Sequence, residues 1–318
     1  MRLADAFEAR RRIAPHVRRT PLVASSWLAA AAGGPVSLKL ESLQVSSSFK
    51  ARGAFNAVVA RLERGSADRL RLVTASAGNH GRALAAAAER FALPLVVFTP
   101  AAAPRAKLDA IRRHGAELRA LAADYDEAER QAKAFAAETG AEFVSPYNDA
   151  DVIAGAATIA LEIFEDRPST RLVVVPIGGG GLASGVAAAA KQISGGCRVD
   201  GVEVEASCAF QTSVRAGRLV AIVPGETLAD GLGGNPDPDT VTFALIQRWI
   251  DAIVTISETD LAGAMAGLVE KEHVVAEGAG AAATAAVLAG RLQTEGRDAV
   301  VLVTGANIDR ERLARILL

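Results

Sequence analysis

The sequence predicts an α/β fold built on a mostly parallel sheet. From about Val36 onward, short runs rich in β-branched residues alternate with longer alanine-rich runs of helical length, which is the pattern of repeated βα units. Several short runs are apolar at nearly every position, as expected of strands that helices cover on both faces. With 318 residues and 50% hydrophobic composition, the chain can form two domains or one large one.

The individual elements follow from these runs in order. Residues 1–20 alternate charged and apolar side chains at helical spacing and lack the apolar core of a signal peptide. Eight later runs predict strands: Val36–Leu40, Leu72–Thr74, Leu95–Phe98, Glu117–Leu121, Leu172–Pro176, Val199–Val204, Ala252–Ile256 and Ala299–Val303. Five predict helices, the third behind an N-cap at Asp124: Gly81–Phe91, Ala103–His114, Tyr125–Thr139, Ala150–Glu165 and Leu182–Gln192.

The middle of the chain predicts a small domain inserted into a larger one. Three βα units lie between about Arg71 and Asp149. We therefore expect a small domain of residues 71–149 and a large domain of residues 1–70 and 150–318. The turn Pro146–Asp149 is the candidate crossing, because proline, asparagine and aspartate favour turns and the βα rhythm resumes after it.

Charge and cysteine content exclude several classes of function. The 35 basic and 36 acidic residues leave a net charge of −1, and both signs are scattered, so neither nucleic acid nor an anionic membrane is an expected partner. The apolar stretches are too short to cross a bilayer, and we expect a cytoplasmic protein. Cys197 and Cys208 have no His or Cys companions at metal-ligand spacing, which argues against a zinc site and a disulfide framework.

A run of four glycines is the strongest candidate for an anion site. The segment Ile177–Gly185 follows an apolar strand and opens a helix. Glycines let backbone N–H groups converge, and the helix N-terminus adds partial positive charge, so the loop can hold a phosphate. Glu203 follows at about the distance of a ribose-binding acid. A dinucleotide-binding oxidoreductase therefore remains an alternative, although the glycine spacing departs from the usual fingerprint.

A second strand-to-helix turn offers donors for a carboxylate. It contains Ser76, Ala77, Gly78, Asn79 and His80. Its N–H groups and side chains can bind an anion at a helix start. A simple helix cap is the alternative interpretation.

Lys50 is the candidate for amine chemistry among the six lysines. Four others lie in charged helical surroundings, and Lys39 lies in a strand beside Glu41. Lys50 instead follows three serines and Phe49 at a helix start, where the helix dipole and apolar neighbours favour the neutral amine that imine formation needs. An ordinary surface lysine is the alternative.

A further turn, Thr304–Asn307, follows the last predicted strand. Ligands of open α/β sheets bind at the carboxyl ends of strands, so these turns point to one crevice. A phosphate site, a carboxylate site and a neutral lysine together suggest pyridoxal phosphate acting on an amino acid.

Six motifs in order resemble one enzyme family, the fold-type II pyridoxal-phosphate enzymes that include serine/threonine dehydratases and serine racemases. The motifs are Glu41–Gln44 with Ser48–Ala54, Ser76–His80, Gly178–Gly181, Thr227–Gly231, Val274–Gly280 and Thr304–Asp309. The resemblance implies a fold like the β subunit of tryptophan synthase: two open, twisted, mostly parallel sheets covered by helices, with the small domain inserted in the large one.

The resemblance also implies roles for the cofactor-binding residues. Lys50 would bind the cofactor covalently and later act as the base for the substrate Cα proton, and Phe49 would pack against the cofactor ring. Asn79 would bond the phenolic oxygen, and Thr304 would meet the pyridine nitrogen. The phosphate would lie on Gly178, Gly179, Gly180, Gly181 and Leu182, and Glu277 would belong to the same site.

The implied reaction is β-elimination from a 3-hydroxy amino acid, L-threonine or L-serine, giving a 2-oxo acid and ammonia. The substrate carboxylate would bind the turn Ser76–His80. Racemases of this family carry a serine where this chain has Ala77, so a second acid/base is missing and dehydratase is favoured over serine racemase. Dehydratases of 3-hydroxyaspartate or phenylserine remain alternatives in the same family.

The resemblance leaves a cation, the assembly and regulation as weaker expectations. Metal-dependent members would place ligands at Glu203, Ser207 and Ala209, but alanine cannot supply a carboxylate. A divalent or monovalent cation near Glu203 is therefore only a secondary expectation. We expect a homodimer or homotetramer. No C-terminal regulatory domain is expected, because the chain ends fourteen residues after Thr304.

Overall fold

The structure is a computed structural model that describes residues 1–65, 70–292 and 294–318. The strands in these ranges are β1 Leu22–Ala24, β2 Val36–Leu40, β3 Leu72–Ala75, β4 Leu95–Pro100, β5 Glu117–Ala122, β6 Glu142–Phe143, β7 Leu172–Pro176, β8 Arg198–Val204, β9 Ala252–Ile256 and β10 Ala299–Val303. The α-helices are α1 Leu3–Ile13, α2 Ser26–Ala32, α3 Lys50–Arg64, α4 Asn79–Arg90, α5 Arg105–Arg112, α6 Tyr125–Thr139, α7 Ala150–Asp166, α8 Gly181–Ile193, α9 Ala209–Ala216, α10 Thr242–Trp249, α11 Glu258–Glu272, α12 Gly278–Leu288 and α13 Arg310–Leu317.

The larger sheet has six strands in the order β1-β2-β10-β7-β8-β9. All neighbours run parallel except β1, which pairs antiparallel with β2. Alternate residues of β7 enter different cores: Leu172 and Val174 pack on the face of α11 and α12, whereas Val173 and Val175 pack on the face of α7 and α8. The strand is therefore apolar throughout because both of its faces are covered.

The smaller sheet has four parallel strands in the order β5-β4-β3-β6. Leu72 packs with α3 and α4 on one face, and Val73 packs with α6 on the other. The expected fold class, with two mostly parallel sheets between helices, is thus confirmed. The strands of this sheet all lie within residues 71–149, but α3 shares their core from outside that range, and the domain division stays a prediction.

All eight expected strands are present, four of them with the bounds that the sequence indicated. The strands β1 and β6 were not expected, because three and two residues are too short to show a pattern. Asp124 caps α6 as expected, since its side chain accepts from the N–H of Glu127 at 2.8 Å. Within the described ranges, no helix combines the length and apolar character needed to cross a membrane.

A buried cluster of two cations and two carboxylates joins β2, α3 and α7. Arg52, two residues into α3, lies 2.8 Å from Glu41 and 2.7 Å from Glu162. Lys39 of β2 lies 2.5 Å from Glu162. Because the charges balance and each is hydrogen-bonded, the cluster can remain ionised without water. It anchors the first turn of α3, which begins at Lys50.

Candidate active site

The turn after β10 is joined to the segment that leads into α3. The N–H of Phe49 donates to the carbonyl of Thr304 at 3.0 Å, and the N–H of Ala306 donates to the carbonyl of Ser47 at 2.9 Å. Ser48 and Gly305 also form an isolated β-bridge. Lys50 is therefore held at the carboxyl end of the larger sheet, where open α/β folds bind ligands.

Lys50 begins α3 and is half-buried. Nζ donates to the carbonyl of Pro146 at 2.7 Å and lies 5.1 Å from the centre of the Phe49 ring. Burial lowers the pKa of Lys50 to about 8, because the interior disfavours the charged ammonium. The neutral amine, which can act as nucleophile or base, is therefore accessible close to neutral pH.

The four glycines connect β7 to α8 and have no room for side chains. A Cβ on Gly178 would lie 2.6 Å from the carbonyl oxygen of Gly231, and a Cβ on Gly179 would overlap the ring of Tyr147. Gly180 has a φ of +86°, which favours glycine. No side chain caps the first turn of α8, so its N–H groups face the loop and can bind an anion. The geometry fits the predicted phosphate site of Gly178, Gly179, Gly180, Gly181 and Leu182.

The sequence analysis did not identify three residues that support this loop. Tyr147 packs against Gly179, and Thr242 donates from Oγ1 to the carbonyl of Gly179 at 2.9 Å. Pro146 supplies the acceptor for Lys50 and thereby links the lysine to the glycine loop. The turn Pro146–Asp149 was the available signal, but it was interpreted only as a domain crossing.

Asn79 and Glu277 form a hydrogen-bonded pair beside the turn after β10. Asn79 begins α4, and its Nδ2 donates to Oε1 of Glu277. Burial raises the pKa of Glu277 to about 7, although the hydrogen bond from Asn79 acts in the opposite direction. Gly305 lies against this pair, and a Cβ there would overlap the Glu277 carboxyl group. Both side chains therefore lie against Gly305, the residue that follows Thr304.

The turn Ser76–His80 presents backbone groups at the N-terminus of α4. Gly78 is the N-cap, without a capping side chain, and its N–H donates to Oγ of Ser76 at 3.2 Å. The His80 ring is buried with Nε2 3.2 Å from the carbonyl of Val144. Burial and then the charge of Lys50 lower the pKa of His80 to about 3, so the ring is neutral. Because the ring already contacts Val144, the group of His80 that can bind a substrate is its backbone N–H.

Thr304 supplies a neutral hydroxyl to the same crevice. It is buried, and its Oγ1 donates to the carbonyl of Ala279 over 3.3 Å, a long hydrogen bond. A hydroxyl of this kind can pair with a ring nitrogen without adding a negative charge.

Glu203 does not have the surroundings expected of a metal ligand or a ribose-binding acid. Its two carboxylate oxygens accept from the N–H groups of Phe210 and Gln211, at 2.8 and 2.7 Å, and so stabilise the start of α9. Burial raises the pKa of Glu203 to about 7. Among the described residues, no group of three or more His, Cys, Asp or Glu side chains could hold a metal ion. The expectation of a cation at Glu203 is therefore unsupported.

These groups match the parts of pyridoxal phosphate. The lysine amine suits the aldehyde, the glycine loop suits the phosphate, Asn79 suits the phenolic oxygen and Thr304 suits the ring nitrogen. Two observations support this fit: neighbouring atoms fill the positions that Cβ atoms of the loop glycines would take, and no side chain caps the N-terminus of α8.

Comparisons with known proteins agree with this fit. The chain is 41% identical to the L-threonine ammonia-lyase of Thermotoga maritima over 99% of its own length and 78% of that protein. It is 36% identical to the L-threonine ammonia-lyase of Geobacter sulfurreducens over 98% of this chain and 76% of that protein.

Solved structures show the same fold. A threonine deaminase from T.th. is 34% identical, with a TM-score of 0.87 over 97% of this chain and 99% of that one. Maize serine racemase is 31% identical, with a TM-score of 0.92 over 99% of this chain and 96% of that one. Residues 13–305 match the family described as "Pyridoxal-phosphate dependent enzyme", and the chain belongs to that family.

Proposed function

We propose that this chain is a lyase that dehydrates and deaminates a 3-hydroxy amino acid, L-threonine or L-serine, to a 2-oxo acid and ammonia. The relatives from Thermotoga maritima and Geobacter sulfurreducens, both L-threonine ammonia-lyases, support this reaction. The observation that carries the proposal is the amine of Lys50, which has a lowered pKa and bonds to Pro146 next to the glycine loop; the turn Ser76–His80 carries Ala77, which has only a methyl group.

Each residue has a defined task in this reaction. Bound pyridoxal phosphate supplies the electron sink that makes the substrate Cα–H acidic. Lys50 takes that proton on Nζ, and the bond from Cβ to the hydroxyl then breaks with its electron pair leaving on the oxygen. The oxygen takes up a proton and leaves as water, which balances the proton removed from Cα. The released enamine hydrolyses to the 2-oxo acid and ammonia. The backbone of the turn Ser76–His80 holds the substrate carboxylate at the N-terminus of α4.

Thr304 favours elimination over reactions that need a long-lived carbanion. Its neutral hydroxyl cannot supply the negative charge that keeps a pyridine nitrogen protonated. Charge at Cα is then less stabilised, and early loss of a β-leaving group is favoured. Racemisation also needs a proton donor on the face opposite Lys50, and Ala77 offers none.

The deciding experiment is a substrate panel with the holoenzyme. L-threonine, L-serine, D-serine, 3-hydroxyaspartates and phenylserine are assayed both for 2-oxo acid and for the inverted enantiomer. We expect L-threonine or L-serine to yield 2-oxo acid faster than any inversion. D-serine formed from L-serine faster than pyruvate would show a racemase instead, and turnover only of 3-hydroxyaspartate or phenylserine would reassign the substrate.

Two variants test the assigned residues. Lys50→Ala should lose the visible band of the cofactor and the elimination activity, whereas Lys271→Ala, the same change at an exposed lysine, should keep both. Borohydride reduction of the unaltered protein should leave the label on Lys50. A colourless protein that binds a dinucleotide would point to the oxidoreductase alternative. Ala77→Ser should raise inversion relative to elimination, and Ala137→Ser is the matched exposed control.

We also propose a cytoplasmic homodimer or homotetramer whose substrate is a small amino acid, with neither nucleic acid nor a membrane as a partner. This part of the proposal is supported by the family resemblance. Size-exclusion chromatography with light scattering measures the assembly directly, and a monomeric holoenzyme would contradict it.

A further inference from the structure

Four side chains form a continuous line of hydrogen bonds through the site. Nη1 of Arg82 donates to Oδ1 of Asn307, and Nδ2 of Asn307 donates to Oδ1 of Asn79 at 2.6 Å. Nδ2 of Asn79 then donates to Oε1 of Glu277. Asn79 and Arg82 come from α4, Asn307 follows β10, and Glu277 is the N-cap of α12. We call these four residues the amide chain.

The two ends of the amide chain fix its direction. The guanidinium of Arg82 can only donate, and Glu277 can only accept when it is ionised, above its pKa of about 7. Nδ2 of Asn307 also donates to the carbonyl of Ser46 at 2.8 Å, and a carbonyl can only accept. An asparagine amide has two flips of nearly equal shape, so its neighbours decide which flip is stable. Flipping Asn307 would place its oxygen against the oxygens of both Ser46 and Asn79.

The fixed direction determines what Asn79 offers to a ligand. Nδ2 carries two hydrogens, and one of them is donated to Glu277. Glu277 is itself held in place, because its N–H donates to the carbonyl of Gly305 at 3.0 Å. The carboxyl group of Glu277 also packs so closely against Gly305 that a Cβ on Gly305 would overlap it. The second hydrogen of Nδ2 is left for an acceptor in the crevice. The opposite flip would present a lone pair, which repels an anionic oxygen.

We propose that Arg82, Asn307 and Glu277 are positioning residues that hold Asn79 in the flip that donates a hydrogen bond to the cofactor's phenolic oxygen. The inference rests on the proposed function, since it assumes that Asn79 contacts the cofactor. If these residues only supported the structure of the site, the direction of their hydrogen bonds would not matter. If they set the flip of Asn79, the hydrogen bonds must run in this one direction.

A variant that reverses the direction of the amide chain distinguishes a structural role from the proposed positioning role. In the double variant Asn307→Asp with Glu277→Gln, the new carboxylate at position 307 can only accept and the new amide at position 277 can donate. Asn79 then donates toward position 307 and accepts from position 277, so both bonds of Asn79 are kept in the opposite direction. Arg82 faces a carboxylate, and the carbonyl of Ser46 loses its donor. We expect the apoprotein to fold with a lower thermal unfolding temperature, because the Ser46 carbonyl then faces a carboxylate oxygen. We expect the cofactor to bind about tenfold more weakly and the visible absorption band of the holoenzyme to shift.

Three outcomes decide the matter. A folded double variant with a shifted band and weaker cofactor binding supports the proposal. An unchanged band and unchanged cofactor affinity in that variant overturn it. Asn79→Ala tests the assumption that Asn79 contacts the cofactor. If this variant keeps the band and the cofactor affinity, Asn79 makes no such contact and the proposal fails, whereas the role of Lys50 and the proposed reaction are unaffected.

Arg82 provides an independent test should the double variant fold poorly. Arg82→Lys keeps an end that only donates, whereas Arg82→Gln replaces it with a side chain that can donate or accept. We expect the lysine variant to keep the absorption band and the glutamine variant, in which the Ser46 carbonyl still opposes the flip, to add a minor second band. Identical spectra of the two variants would overturn the proposal.

Discussion

Lys50 is half-buried, and its Nζ bonds to a neutral carbonyl. Burial lowers its pKa to about 8 from an ordinary value of 10.5. The ammonium loses its proton as pH rises through the pKa, so the reactive amine becomes abundant above about pH 8. The rate at which the apoprotein forms a borohydride-reducible adduct with pyridoxal phosphate should therefore increase with a midpoint near pH 8. A midpoint close to 10.5 would show that the amine is solvated.

At the same scale, sequence patterns predicted site residues from their special chemistry and gave no sign of residues that act by contact. Lys50, Asn79 and the glycines were predictable because few other residue types can do their chemistry. Tyr147 and Thr242 were not, because their contacts with Gly179 join segments far apart in the chain. The sequence predicted that Asn307 belongs to a turn. Its hydrogen bonds to Asn79 and Ser46 were not predictable, because they join segments that only the folded structure brings together.

The loop between β7 and α8 allows a prediction at the scale of an element. Gly179→Ala places a Cβ into the ring of Tyr147, so the ring or the loop must move and the phosphate site is distorted. We expect cofactor affinity to fall by at least about tenfold, a loss on the order of 1.4 kcal/mol, measured by titrating the apoprotein with pyridoxal phosphate.

Gly196→Ala is the matched control for that change. A Cβ at Gly196 would meet no atom within 4 Å, so cofactor affinity should be unaltered. Equal affinities of the Gly179 and Gly196 variants would mean that the loop does not bind the phosphate.

The elements themselves were predictable in proportion to how clearly their patterns differ from their surroundings. The strand β7 is apolar throughout and is followed by glycines, and its bounds were predicted correctly. The helix α12 is alanine-rich on every side and buried, so no 3.6-residue period marks it. The edge strand β1 has three residues and pairs antiparallel, which a βα rhythm does not predict.

The whole molecule is tied together by the buried cluster of Arg52, Lys39, Glu41 and Glu162. Arg52→Met removes one cation and leaves the two carboxylates facing a single lysine in the interior. An uncompensated buried charge costs about 3–5 kcal/mol. Urea unfolding of the apoprotein should show a loss of stability of this order.

An exposed arginine serves as the control for this prediction. Arg291 lies 3.8 Å from Glu205 and from Asp260, with about half of its side chain exposed. Arg291→Met should change stability by less than about 1 kcal/mol, because solvent screens exposed pairs. Similar losses in both variants would indicate that the cluster around Arg52 is hydrated.

The position of β10 in the larger sheet has a consequence for how the protein acquires its activity during synthesis. This strand lies between β2 and β7, and it leads directly to Thr304, Gly305 and Asn307. A growing chain that already contains the glycine loop and Lys50 still lacks the middle of its sheet until residues 299–303 leave the ribosome. Pairing between β2 and β10 also spans most of the chain, and contacts of such long range form late. The smaller sheet, whose strands lie within residues 72–143, can form first, and cofactor capture is then one of the last events in folding.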